Sequence, residues 1–188
     1  MGAGGERRYP DDPGVRRAVR VGGLTKLQLI LKLRELSIRM NGSASRLFAD
    51  DRFTTSGAEY VVPTVELTVA ALGYARGATL SEIFARARTL GLRLCPLELG
   101  PHLRTVYLDQ PEGSFGAPVR QHKAPAGSLT IASEPLDEDP RTPKGFYLRR
   151  IDGTLWLRGY VAGAAHVWSP GDHLVFSQST PSDEPRPE

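Results

Sequence analysis

At 188 residues, 40% hydrophobic and 24% charged, the chain has the size and composition of one ordinary globular domain, which excludes a disordered or fibrous protein. Its net charge of +3 is unevenly spread: residues 1–23 hold five arginines against Glu6, Asp11 and Asp12, a net +2, so the body from Leu24 onward carries only +1. A body so nearly neutral lacks the basic excess of a protein that lives on duplex DNA. The 20 arginines against four lysines, with abundant alanine, reflect a GC-rich genome more than a function.

Residues 1–23 are rich in Gly, Arg and Pro without periodicity, and they read as a flexible leader. They lack the apolar stretch of a signal peptide, and Glu6 stands where a myristoylation signal needs Ser or Thr. Cys95 is the only cysteine, so no internal disulfide forms and a reducing cytoplasm is the expected setting. No run of about eighteen apolar residues exists, so no membrane partner is expected.

A single domain is expected over 24–178. Thr25 and Gln28 form a capping box, and Leu29, Leu33, Leu36 and Met40 follow at helical spacing. Asn41-Gly42 stops that helix, and Ser43 caps a short second one through Phe48. From Pro63, expected at a strand start or edge, Val65, Leu67, Val69 and Ala71 alternate with polar or small residues as in a half-buried strand. Thr79 and Glu82 form a second capping box before an apolar face of Leu80, Ile83, Phe84, Ala87 and Leu90, which Gly91 terminates. The apolar pattern of 97–108, broken at Gly100-Pro101, predicts a short helix leading into a strand.

Residues 109–127 and the acidic 133–145 are expected as long loops around a short strand at 128–132. Asp152-Gly153, between FYLRRI and TLWLRGY, is a two-residue hairpin turn. It pairs Ile151 with Thr154, Arg150 with Leu155, Arg149 with Trp156, Leu148 with Leu157 and Tyr147 with Arg158. A last strand at 173–177 follows the Ser169–Asp172 turn, and a disordered tail begins at Ser179. Helices first and mostly antiparallel strands later make the fold class α+β, with a C-terminal hairpin.

Nucleotide chemistry has no motif to stand on: there is neither a phosphate-cradling Gly-x-x-x-x-Gly-Lys-Ser/Thr nor a Gly-x-Gly-x-x-Gly. The scattered histidines and single cysteine do not build a zinc site, and no cofactor is expected. His166, His173 and Asp172 flank one turn, but such a trio is ordinary turn chemistry more often than a metal site. A small enzyme would use a pocket near Cys95, His102 and Asp109, although the apolar run around Cys95 favours burial. Glu98, Asp109 and Glu112 are carboxylates at no fixed separation, as suited to solvated loops as to glycoside hydrolysis.

The hairpin is the most informative feature. Alternation sends Phe146, Leu148, Leu155 and Leu157 to the core and Tyr147, Arg149, Trp156, Arg158 and Tyr160 to the other face, which Trp168 extends. Guanidinium groups among aromatic rings can stack planar groups and clamp anions. The same cross-strand pairs also stabilise a sheet unaided, and the acidic loop is able to fold back and neutralise the arginines.

Four blocks, 92–113, 128–136, 144–160 (KGFYLRRIDGTLWLRGY) and 166–176 (HVWSPGDHLVF), resemble a family of small bacterial proteins, some of which carry the label "helicase". The resemblance implies a soluble, cytoplasmic, single-domain protein with no assigned activity or site residue. A helicase needs a phosphate-cradling loop and usually two nucleotide-binding lobes, and the chain has neither the motif nor the length. The expected function is therefore a non-enzymatic binding module that takes a protein or small polar ligand on the Arg/aromatic face. Single-stranded nucleic acid and the small enzyme are the alternatives.

Overall fold

Val15–Val21 is a strand, β1, and not the end of a flexible leader. Val19 and Val21 are buried, and all seven residues pair antiparallel with β3 (Tyr60–Thr68). The computed structural model describes residues 14–113 and 127–178, so the rest of the expected leader, the tail from Ser179 and most of the 109–127 loop lie outside the described residues.

Between these strands come helix α1 (Lys26–Glu35), the two-residue strand β2 (Arg39–Met40) and helix α2 (Gly42–Ala49). The Thr25–Gln28 capping box forms as expected. The helix nevertheless ends at Glu35, short of the predicted Asn41-Gly42. Ile38 N–H returns to Leu33 O and Ser37 N–H to Arg34 O, a Schellman closure that puts Ser37 at φ 56. Met40 therefore sits in β2, and α2 is capped by Asn41 rather than Ser43.

β3 starts at Tyr60, earlier than predicted, and Pro63 stands opposite Ala18, one residue beyond the last β10 pair, Ser177–Thr64. Next come β4 (Ala78–Thr79), α3 (Leu80–Thr89) behind its intact Thr79–Glu82 capping box, β5 (Leu92–Arg93) and α4 (Leu99–Val106). Gly100-Pro101 lies in the first turn of α4, where a proline's missing N–H costs nothing, so it does not break the helix. No strand follows directly on α4: residues 107–113 are loop. β6 (Leu129–Ile131), β7 (Gly145–Ile151), β8 (Thr154–Tyr160), β9 (Val167–Trp168) and β10 (His173–Gln178) complete the described chain.

The strands form one sheet in the order β1-β3-β10-β6-β7-β8-β2, with β5 also on β10 and β4–β9 a separate ribbon. Among the described strand pairs only β10–β6 and β2–β8 run parallel, so the fold is α+β with a mainly antiparallel sheet. The hairpin register is the predicted one at every pair. Alternation along β10 shows what the sheet separates. Val175 joins a core cluster with α1, α2 and α4, whereas Leu174 and Phe176 join a second with α3 and Trp168.

Candidate functional site

Tyr147, Arg149, Trp156, Arg158 and Tyr160 are all half-buried, while Phe146, Leu148 and Leu157 on the opposite side are fully buried, as alternation requires. Leu155, expected in the core, is only partly buried at its margin.

The exposed side of the hairpin carries a continuous strip. Arg158 Nε donates to Tyr147 Oη at 2.7 Å, and its guanidinium carbon lies 5.1 Å from the centre of the Trp156 ring and 5.9 Å from that of Tyr147. Arg39, registered against Trp156 from β2, brings another guanidinium to 5.9 Å from the same indole. Arg39 had no signal in the sequence, because only the parallel β2–β8 pairing delivers it. In the other direction the Tyr147 and Tyr160 rings lie 6.5 Å apart, and Tyr160 meets Trp168 edge-on at 5.4 Å.

Trp168 does not extend this face as a stacking platform. It is 4% exposed, belongs to the α3-side core and has a buried Nε1 without a hydrogen-bond partner. The Tyr160 hydroxyl is buried and unpartnered too, and burial pushes its pKa far up. The usable face is therefore Tyr147, Arg149, Trp156 and Arg158, with Arg39 added.

The acidic loop does not neutralise it. Asp137 pairs with Arg52 at 2.9 Å, Asp139 with Arg141 at 2.8 Å and Glu134 with Arg88 at 3.4 Å. Lys144 Nζ donates to the backbone oxygens of Asp137 and Asp139, which ties the loop to itself. Among the described residues, Arg39, Arg149 and Arg158 have no carboxylate partner.

The groups suggested for an enzyme do separate work. Cys95 is buried, its thiol donates to Val175 O at 3.4 Å, and burial pushes its pKa up, away from a nucleophilic thiolate. Asp109 is exposed, and Glu112 accepts the Asp152 and Gly153 N–H groups, capping the hairpin turn. His173 Nδ1 contacts Glu66 Oε1 at 2.8 Å, while Asp172 Oδ2 accepts from Ser169 N–H at 2.7 Å. Among the described residues no three His, Cys, Asp or Glu converge as metal ligands.

Glu98 and His102, one turn apart, are both buried. Glu98 stands at the N-cap of α4, yet its carboxylate makes no cap bond and reaches the 50s loop instead. Ser56 N–H donates to both its oxygens, at 3.2 and 3.1 Å, and Tyr60 Oη donates to Oε1 at 2.9 Å. Burial and this hydrogen bond push the Tyr60 phenol up to about 12, so it stays a donor. His102 Nε2, 3.9 Å from Glu98 Oε2, accepts the Gly22 N–H at 3.1 Å, so the ring proton sits on Nδ1 and the pair is not an ion pair. Glu98 also lines a cleft of about 380 Å³ formed by residues 52–56, 96–98 and Leu136.

Burial holds His102 below its ordinary pKa, aided by Lys32 and opposed by Glu98 and Glu59. With the folded value depressed, the unfolded chain takes up the proton first as the pH falls. The stability conferred by the neutral ring is thus complete above the unfolded value of about 6.5 and drains away as the pH drops through the folded one. In urea denaturation, wild type should lose stability relative to His102→Gln between about pH 7 and 5, since glutamine offers an acceptor that does not titrate. Parallel pH profiles would show that His102 is protonated equally in both states.

No helix among the described residues is long and apolar enough to cross a membrane. Compared with protein-family models, with curated proteins and with solved structures, the chain matches none.

Proposed function

We propose that the protein is a non-enzymatic binding module that takes an anionic partner bearing planar groups, a protein segment or a polar ligand, on the β7–β8 face. Arg39, Arg149 and Arg158 supply the charge, and Tyr147 and Trp156 supply the stacking surfaces. The observation that carries this reading is that Arg39 and Arg158 lie against the Trp156 ring and Arg149 is registered opposite it, none with a carboxylate partner among the described residues, beside an acidic loop whose ion pairs are made elsewhere. A cation–π contact gives about 0.5–1 kcal/mol at an exposed site, enough to hold the arginines over the rings without quenching their charge. Cys95, buried and turned away from thiolate chemistry, supports binding over catalysis. A cytoplasmic setting and kinship with the small bacterial proteins belong to the same proposal.

Single-stranded nucleic acid is the second reading, favoured by the Trp156 and Tyr147 rings that Arg158 bridges along one strip. Tryptophan fluorescence titrations with an oligothymidylate, a polyglutamate and a simple sugar, at about 50 and 200 mM salt, test both readings. An anionic probe should bind and weaken steeply with salt, and Trp156→Ala should lower its affinity about tenfold or more, read in the variant from the anisotropy of a fluorescein-labelled probe. Oligothymidylate binding alone selects the nucleic-acid reading, and polyglutamate binding alone selects an acidic protein partner. Silence toward both anions at low salt, or a salt-insensitive response to the sugar alone, overturns the proposal.

A further inference from the structure

The cleft beside Glu98 lies apart from the hairpin strip and is built from different segments. One wall is apolar, from Phe53, Pro96, Leu97 and Leu136. The other is the polar run 54–56, with Arg52 at the end of the lining. Arg52 is engaged by Asp50 at 2.6 Å and by Asp137 at 2.9 Å, so its charge is already matched. Glu98 is not matched in this way. The side chain is 5% exposed, and its hydrogen-bond donors, the Ser56 N–H and the Tyr60 hydroxyl, are both neutral. His102, the basic side chain nearest to it, is itself an acceptor on the nitrogen that faces the carboxylate.

A carboxylate offers about four acceptor directions, and two donors leave some of them unused. Burying one without a cation is costly, and proteins ordinarily compensate such a group with a positive partner. At the N-cap of α4 this carboxylate had a use available, in closing the helix's own N–H groups, but it accepts from Ser56 and Tyr60 instead, and Glu98 lines the cleft. We propose that the cleft is a binding site for an organic cation, an ammonium or guanidinium group on a short apolar stem. Glu98 is its counter-ion, and Phe53, Leu97 and Leu136 receive the stem. The cation supplies the positive charge that no described side chain gives Glu98. The same chemistry comes either as a free amine or as a lysine or arginine side chain of a peptide.

Phenethylamine, its neutral counterpart 2-phenylethanol and the anionic 3-phenylpropionate separate the charge term from the apolar one. Titrated into the ¹⁵N-labelled full chain, phenethylamine should shift the Ser56 amide, which donates to Glu98, and should bind at least tenfold tighter than the alcohol. The propionate should not bind. Glu98→Gln should erase the preference for the amine. Should that variant not fold, Thr55→Trp fills the cleft without touching the carboxylate and should abolish amine binding. Acetyl-Gly-Lys-Gly-amide distinguishes the sources: tighter binding than phenethylamine assigns a peptide side chain, and weaker binding a free amine. Equal binding of amine and alcohol overturns the proposal, as does an unchanged amine affinity in either variant or no saturable shift at Ser56. Trp156→Ala should leave these titrations unchanged, so failure here and failure of the hairpin reading are told apart.

Discussion

Gly159→Ala is expected to destabilise the protein by about 3 kcal/mol, an effect out of proportion to one methyl group. A Cβ at this position lies 2.6 Å from the carbonyl carbon of Ser43, 2.7 Å from Ala44 N and 2.8 Å from Ser43 O. These are backbone atoms of the first turn of α2, so no rotamer change relieves the overlap. Nor can the helix back away freely. The Asn41 side chain grips Gly159 at both ends, accepting its N–H at 2.8 Å and donating to its carbonyl at 3.0 Å, while also capping Ala44 N–H at 2.9 Å. Moving α2 breaks that grip and loosens Ala44, Leu47 and Phe48 in the core. Urea denaturation should show a lower midpoint with an unchanged slope. Gly171→Ala, which meets nothing within 4 Å, is the control and should stay within about 0.5 kcal/mol of wild type. A loss below about 1 kcal/mol at Gly159 would mean that α2 slides without cost.

Arg104→Ala is expected to cost about 4 kcal/mol. This arginine is fully buried and has no carboxylate partner among the described residues. Its guanidinium donates to Gln110 Oε1 and to the carbonyl of Tyr107 at the C-terminal end of α4, where the helix dipole favours positive charge. Burial lowers its pKa to about 10, so it remains protonated at neutral pH. Gln110, oriented by Arg104, donates from Nε2 to Leu148 O and to Gly127 O, both at 3.1 Å. Truncation therefore opens a cavity, strands two acceptors and frees the residue that ties the loop to β7. Arg104→Met keeps most of the volume and removes the cost of burying a charge, so it should lose about half as much. Faster hydrogen exchange in β7 should accompany the alanine variant. If methionine proves as damaging as alanine, the hydrogen bonds rather than the packing carry the effect.

What could be read from the sequence divides by range. The hairpin register and both capping boxes were legible because each is written within a few residues: Asp152-Gly153 between alternating strands, and Thr25–Gln28 and Thr79–Glu82 at helix starts. β1 was not, because only Val19 and Val21 of its seven residues are buried and arginines surround them. The end of α1 was missed because Leu36 and Met40 keep the helical period, while the chain turns through a serine at positive φ where a glycine is the usual sign. The residues of the candidate site followed the same rule. Tyr147, Arg149, Trp156 and Arg158 come together because the hairpin is local. Arg39 joins them, and Trp168 leaves them for the core, only through pairings between distant segments. Glu98 and His102 were visible as residue types, but their partners Ser56, Tyr60 and Gly22 lie roughly 40 to 80 positions away.

The placement of β10 bears on how a ribosome can deliver this fold. It is the last described strand to be synthesised, yet it lies in mid-sheet, antiparallel to β3, parallel to β6 and also joined to β5. Leu174, Val175 and Phe176 are each at 0% exposure. While the chain is still emerging, β1–β3 and the β6–β7–β8 meander can each zip locally, linked through α2, α4 and the two-residue β2–β8 pairing but not strand to strand, so β3 and β6 each offer a bare edge to other nascent chains. The sheet becomes continuous only when β10 arrives between β3 and β6. Closure of the sheet thus waits for its last described strand, and the open edges of β3 and β6 need shielding until then.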